Sequence, residues 1–164
     1  MRTLRHLIAG AALSLALAAD VMQADAADWP QLPGWQVIKT GHSYQDLITR
    51  LDEAVKANKM GLVTRASATL GAKKVLNQDI PGNMVVGVYH PRFAVRMLEA
   101  SVPAGIEAPI RFYITENDDQ SATLSYKTPS AVFAPYSDGG DKLKDLAAEL
   151  DDIFAKIAAQ ATAE

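Results

Sequence analysis

The chain contains no cysteine. That excludes disulfide staples, thiolate metal sites and thiol nucleophiles at once. It also excludes the lipid-anchored form of export, which needs a cysteine just after cleavage. Histidine is scarce: His6, His42 and His90 are all there is. Only the last two lie beyond residue 26, so no three-histidine metal site can form within one mature chain. Long apolar runs are missing as well. Leu7 to Ala19 is an apolar stretch of about 13 residues, short of the roughly 20 a membrane span needs. No transmembrane segment is therefore expected in the mature form. Positive charge is not in excess. The net charge is −3 and the lysines are scattered, a poor match to nucleic acid, whose phosphates need a concentrated basic face. Also absent are His-Glu-x-x-His, a Gly-x-Ser-x-Gly elbow, a P-loop, Gly-x-Gly-x-x-Gly and Cys-x-x-Cys-His, so no standard catalytic or cofactor signature is present. No cofactor and no metal are expected.

The N-terminus has a positive pattern of its own. Arg2 and Arg5 precede the apolar run, and Ala24-Asp25-Ala26 follows it. A basic start, an apolar middle and small residues at a cleavage site read as a secretory signal peptide over residues 1–26. Ala16-Leu17-Ala18 is a second candidate cleavage site. No arginine pair is adjacent, which favours the general secretory route. The product is expected in the periplasm or secreted. Arg2 and Arg5 leave together with Asp20 and Asp25, so the net charge stays at −3. Residues 27–34, with two prolines and a glycine, read as a lead-in. A single α+β domain over 35–161 is expected, large enough to bury a core without staples.

Along that domain, Trp35 to Thr40 reads as a strand. Ser43, with Asp46 three residues on, is a variant capping box. Leu47, Leu51, Ala54 and Val55 then recur at helical spacing, predicting a helix over 44–58. Leu62 to Ala68 suits a second strand. Residues 70–77 suit a short helix or a loop, and 79–83 a turn. The β-branched run Met84 to Tyr89 is a strand, and Pro91 opens a helix over 91–100 at a favoured first position. Ile110, Phe112 and Ile114 alternate with Arg111, Tyr113 and Thr115. Ala122, Leu124 and Tyr126 alternate with Thr123, Ser125 and Lys127. With Asn117 to Gln120 between them, these make a hairpin. Residues 128–141 look like loop, with Asp141 as a cap for a helix over 142–160. That helix shows an apolar stripe from Leu143 to Ile157. The order is β-α-β-β-α-β-β-α: an antiparallel sheet with helices packed on one face.

Four features could carry chemistry. His90 sits at a strand-to-helix junction, where free N–H groups favour an anion and the ring could bind a metal. Its simpler role is to fill the cap or face solvent. Arg65, Lys73, Lys74, Arg92, Arg96 and Arg111 form a basic set. Arg92 and Arg96 share a helix face, and Arg111 could converge with His90 on an anion. The plainer reading is solvated charge with local pairing, such as Arg96 with Glu99. Asp118 and Asp119, near Glu116, suit hairpin-turn chemistry better than calcium, which needs several spaced oxygen ligands. Tyr89, Tyr113, Tyr126, Phe133 and Tyr136 could line a pocket or simply be core.

The chain resembles the family called domain of unknown function 302. The matching stretches are Ala72 to Leu76, Val85 to Pro91, Phe93 to Ala100 and Gly105 to Glu116. The terminal helix also falls where the family has one. The resemblance covers roughly residues 36–160 and implies a compact α+β fold and a homodimer. It implies no established activity. Many relatives have Cys-Asn-Pro where this chain has Tyr89-His90-Pro91, and Leu-Pro-Cys where it has Ala108-Pro109-Ile110. Tyr89, His90 and Ile110 are then replacements at a shared site.

Two functional expectations follow. The first is a non-catalytic accessory protein of the envelope, binding a small ligand or a partner protein near Tyr89, His90, Arg111 and Tyr113. The second is a small enzyme with His90 as acid or base and Arg111 holding an anionic substrate. The second requires His90 and Arg111 to meet in one pocket.

Overall fold

A computed structural model describes residues 32–164. The proposed leader, and the lead-in up to residue 31, lie outside the described residues. Strand β1 (Trp35–Ser43) opens the fold and runs three residues past its expected end. Ser43 then caps helix α1 (Tyr44–Ala57), its Oγ accepting from the Asp46 N–H at 3.2 Å. This gives a partner to one of the N–H donors that the first turn leaves unpaired. Strand β2 (Gly61–Ala66) follows. The ambiguous stretch is helical: α2 (Ala68–Gly71), capped by Ser67, winds on into one π-helical turn over Ala72–Leu76. Strand β3 (Asn83–Tyr89) leads into α3 (Pro91–Ala100). Strands β4 (Ile110–Glu116) and β5 (Ser121–Lys127) form the hairpin.

The segment expected to be loop holds a short helix, α4 (Pro129–Phe133). Thr128 accepts from the Ala131 N–H, and Pro129 takes the first turn, a cap-and-proline start in five residues. Gly34, at φ +76°, lies so close to α4 that a Cβ there would come within 2.1 Å of the Ala131 Cβ. The final helix, α5 (Gly140–Ala161), starts before Asp141. Asp141 is therefore not the cap; it sits in the first turn, where its charge complements the helix dipole, and pairs with Lys144 at 3.1 Å.

The five strands form one antiparallel sheet in the order β1-β5-β4-β3-β2. The expected order of elements holds, with α2 and α4 added. One face carries the core. Val86, Val88, Ile110, Phe112, Ile114, Leu124 and Tyr126 point there and are buried. Helices α1, α3 and α5 cover them, with Leu47, Leu51, Val55, Phe93 and the α5 stripe buried in turn. Phe154 of α5 stacks on Phe112 with centroids 4.8 Å apart and planes at 10°. Arg96 of α3 reaches Glu149 of α5 at 2.6 Å, not Glu99, and so ties two helices instead of one turn. Among the described residues no helix is long and apolar enough to cross a membrane.

Candidate functional site

Among the described residues no helix layer covers the centre of the other face, and strand alternation decides what it shows. Residues one step out of phase with the core point there: Val37 on β1, Val85 on β3, Arg111 and Tyr113 on β4, Ser125 and Lys127 on β5. Ser125 lies between Val37 and Tyr113 in the register. A small side chain between two larger ones makes a hollow, and Ser125 is buried at its bottom. The β2–α2 corner, from Ala66 to Ala68, walls one side. Trp35 stands on the other side, and Glu107 and Val132 line the end. The result is a cleft of about 720 Å³.

Glycine shapes the wall near Arg111. Gly87 pairs with both Thr64 and Arg111. A Cβ at Gly87 would lie 2.1 Å from Thr64 Oγ1 and 2.7 Å from the Pro109 ring. Only glycine lets those two groups close over β3 at this point.

Among the described residues, three charged side chains line the cleft: Arg111, Lys127 and Glu107. Lys127 Nζ sits 5.7 Å from the Trp35 ring centroid, within cation–π range. Glu107 Oε1 accepts from the Tyr136 hydroxyl at 2.7 Å. That carboxylate, helped by burial, raises the Tyr136 phenol above its ordinary pKa. Arg111 is exposed and makes no ion pair with any described residue.

Sequence reasoning grouped Tyr89, His90, Arg111 and Tyr113. The structure splits them two and two. Arg111 and Tyr113 line the cleft. Tyr89 and His90 line a separate space of only about 30 Å³ with Ile110 and Phe93. That is close to the volume of one water molecule. Tyr89, His90 and Ile110 line this one space, which has no room for a substrate. Parity separates His90 from Arg111, but not Tyr89, which is in phase with Val85 and Gly87 and lies at the end of β3. His90 continues the Val86, Val88 series toward the core side, whereas Arg111 is out of phase with Ile110 and Phe112.

The remaining candidates are accounted for locally. His90 Nδ1 accepts from the Arg92 N–H at 3.1 Å and caps α3. His42 Nε2 faces the Ala163 carbonyl at 2.9 Å, and its Nδ1 lies 3.3 Å from Asp46. Arg92 and Arg96 lie over the Phe93 ring, at 4.5 and 5.7 Å. Arg65 pairs with Asp52, and Lys73 with Asp79. Asp119 accepts from Ser121 within the hairpin turn, which lowers its carboxyl pKa. The aromatics divide: Tyr126 and Phe133 are core, Tyr113 lines the cleft, and Tyr136 braces its end. Trp35, Val85, Ser125 and Lys127 escaped the sequence reading. A signal for Lys127 existed, because the hairpin brings its end of β5 beside the Arg111 end of β4.

The family model of the domain of unknown function DUF302 matches residues 36–161. The chain belongs to this family. The DUF302 fold is also seen in a crystal structure of an uncharacterized conserved DUF302 protein from Bacillus stearothermophilus. That structure is 17% identical, with a TM-score of 0.70, and the match covers 79% of this chain and 99% of the other. At that identity the likeness concerns the fold. No curated protein matches this DUF302 chain.

Proposed function

We propose that this protein is an exported, non-catalytic binding module of the cell envelope, and that it takes a small ligand in the cleft on the open sheet face. One observation carries the reading: the cleft of about 720 Å³. It falls within the range of roughly 300–1,000 Å³ typical of ligand sites, which combine apolar walls with a few placed polar groups. Val85, Val132, Trp35 and Tyr113 supply the walls, and Arg111 and Lys127 the polar heads. The leader pattern over residues 1–26 supports export.

The histidine chemistry supports a non-catalytic role. With Nδ1 accepting from Arg92, a neutral His90 ring carries its proton on Nε2, and neither nitrogen offers a lone pair to a substrate. His42 is held between Ala163 and Asp46. The enzyme reading needs His90 beside Arg111, and they line different pockets.

The test is thermal unfolding of the mature protein against a panel of carboxylates, alcohols and amines of graded chain length. A ligand at 100 times its Kd stabilises by about 2.7 kcal/mol, a rise on the order of 10 °C in Tm for a domain of this size. Val85→Trp should fill the cleft and abolish that rise without changing the circular dichroism. If no compound raises Tm, or the Trp variant responds like the wild type, the cleft is not a ligand site.

A further inference from the structure

We infer that the ligand is an apolar molecule with a single carboxylate, its head at Arg111 and Lys127 and its body along the apolar lining that includes Val85 and Val132. The inference rests on the reading of the cleft as a ligand site and names what that site selects.

The argument begins with the sheet register. Gly87 pairs with Arg111, and Trp35 with Lys127. On the central pair Phe112 faces Tyr126, the last paired residues at this end, and Arg111 and Lys127 are the next residue on each strand and line the same cleft. Side chains directly opposed on neighbouring strands have Cβ atoms about 5 Å apart, and like charges there destabilise the sheet. Two exposed cations thus stand side by side, and neither is ion-paired to a described residue. The acid among the described residues of the cleft, Glu107, makes no ion pair with either and accepts from the Tyr136 hydroxyl.

Charge balance then selects the head group. Among the described residues, Arg111 and Lys127 against Glu107 leave one positive charge in the cleft, within a chain whose net charge is −3. One negative charge balances it. The guanidinium fork of arginine matches the two oxygens of a carboxylate, and lysine adds a point charge from the facing strand. A carboxylate placed between them turns a repulsive pair into two attractive ones. The rest of the cleft wants an apolar body: Val85, Val132, Tyr113 and the Trp35 ring line it.

The experiment is isothermal titration of the mature protein with decanoate, decanol and decylamine, each kept monomeric. The titration is repeated on Arg111→Gln, Lys127→Gln, the double variant and Val85→Trp. Decanoate should bind the wild type at least about tenfold more tightly than decanol, the scale of one charge-assisted contact. Decylamine should bind most weakly. The double variant should bring decanoate to the level of decanol. If decanol binds the wild type as tightly as decanoate, or the double variant keeps the preference, the carboxylate inference is overturned. In that case loss of both probes in Val85→Trp would still uphold the cleft as a ligand site. If no probe binds the wild type, or Val85→Trp binds as well as wild type, the cleft reading falls and the inference with it.

Discussion

The two faces of one sheet are built from the same strands and do opposite work. On the helix side, Val86, Phe112, Leu124 and Phe154 are fully buried, and the aromatic rings of Phe112, Tyr126 and Phe154 lie within 6.0 Å of one another. On the open side, Val85, Tyr113, Arg111 and, at 36%, Val37 are half-exposed or exposed, and the small Ser125 is buried beneath them. Period-two alternation lets β3, β4 and β5 devote one set of side chains to stability and the next to a cleft. Stability is thus carried by one face, and the other can hold cations that have no ion pair among the described residues and that a packed core would not tolerate.

The comparison breaks most visibly at its centre. Phe154→Ala removes the ring that bridges α5 to β4 and β5, and should cost about 3–5 kcal/mol in urea unfolding. A sharper contrast comes from adjacent residues on β3. Val86→Ala, on the core side, should cost about 2–3 kcal/mol, whereas Val85→Ala, on the cleft side, should cost under about 1 kcal/mol. Equal losses at the two positions would contradict the division of labour. Lys127→Gln removes the like-charge opposition to Arg111, so stability without ligand should hold or rise by a few tenths of a kcal/mol, about the scale of a cross-strand pair. A clear loss in urea unfolding would show that the lysine is structural.

The smallest effect lies where the two regions meet. Tyr136 donates to Glu107 and its pKa is raised, and burial raises Tyr126 as well. In the unfolded chain a tyrosine ionises near its ordinary value of about 10, while in the fold it holds its proton to higher pH. The stabilising contribution is therefore complete below about pH 10 and is lost as pH rises through the folded pKa. Tyr136→Phe should show a shallower decline of Tm above that pH than the wild type.

Much of the fold was legible because its signals are local. Leu47, Leu51 and Val55 mark α1 by spacing, Leu143 to Ile157 mark α5, and Ile110 to Ile114 mark β4 by alternation. What was not legible depended on distant partners or short segments. Nothing near Trp35 says that β1 will pair with β5 at a sheet edge. The start of α4 was written in Thr128-Pro129, but five residues give no periodicity to read. Residues 68–76 carry Gly71 and wind through a π turn, which blurs the helical pattern. The site was legible in half: Arg111 and Tyr113 line the cleft, while Tyr89 and His90 do not. Strand parity separates His90 from Arg111, and hairpin register joins Arg111 to Lys127; both are counts of residues, and they outrank proximity in sequence.

The central claim is that the open face, and not the His90 end of the core, receives the ligand. The direct measurement is a ¹⁵N–¹H correlation spectrum of the mature protein titrated with decanoate. The account predicts that shifts concentrate on Val85, Arg111, Tyr113, Ser125 and Lys127 and on the Trp35 indole. Shifts centred instead on His90, Phe93 and the first turn of α3 would contradict it.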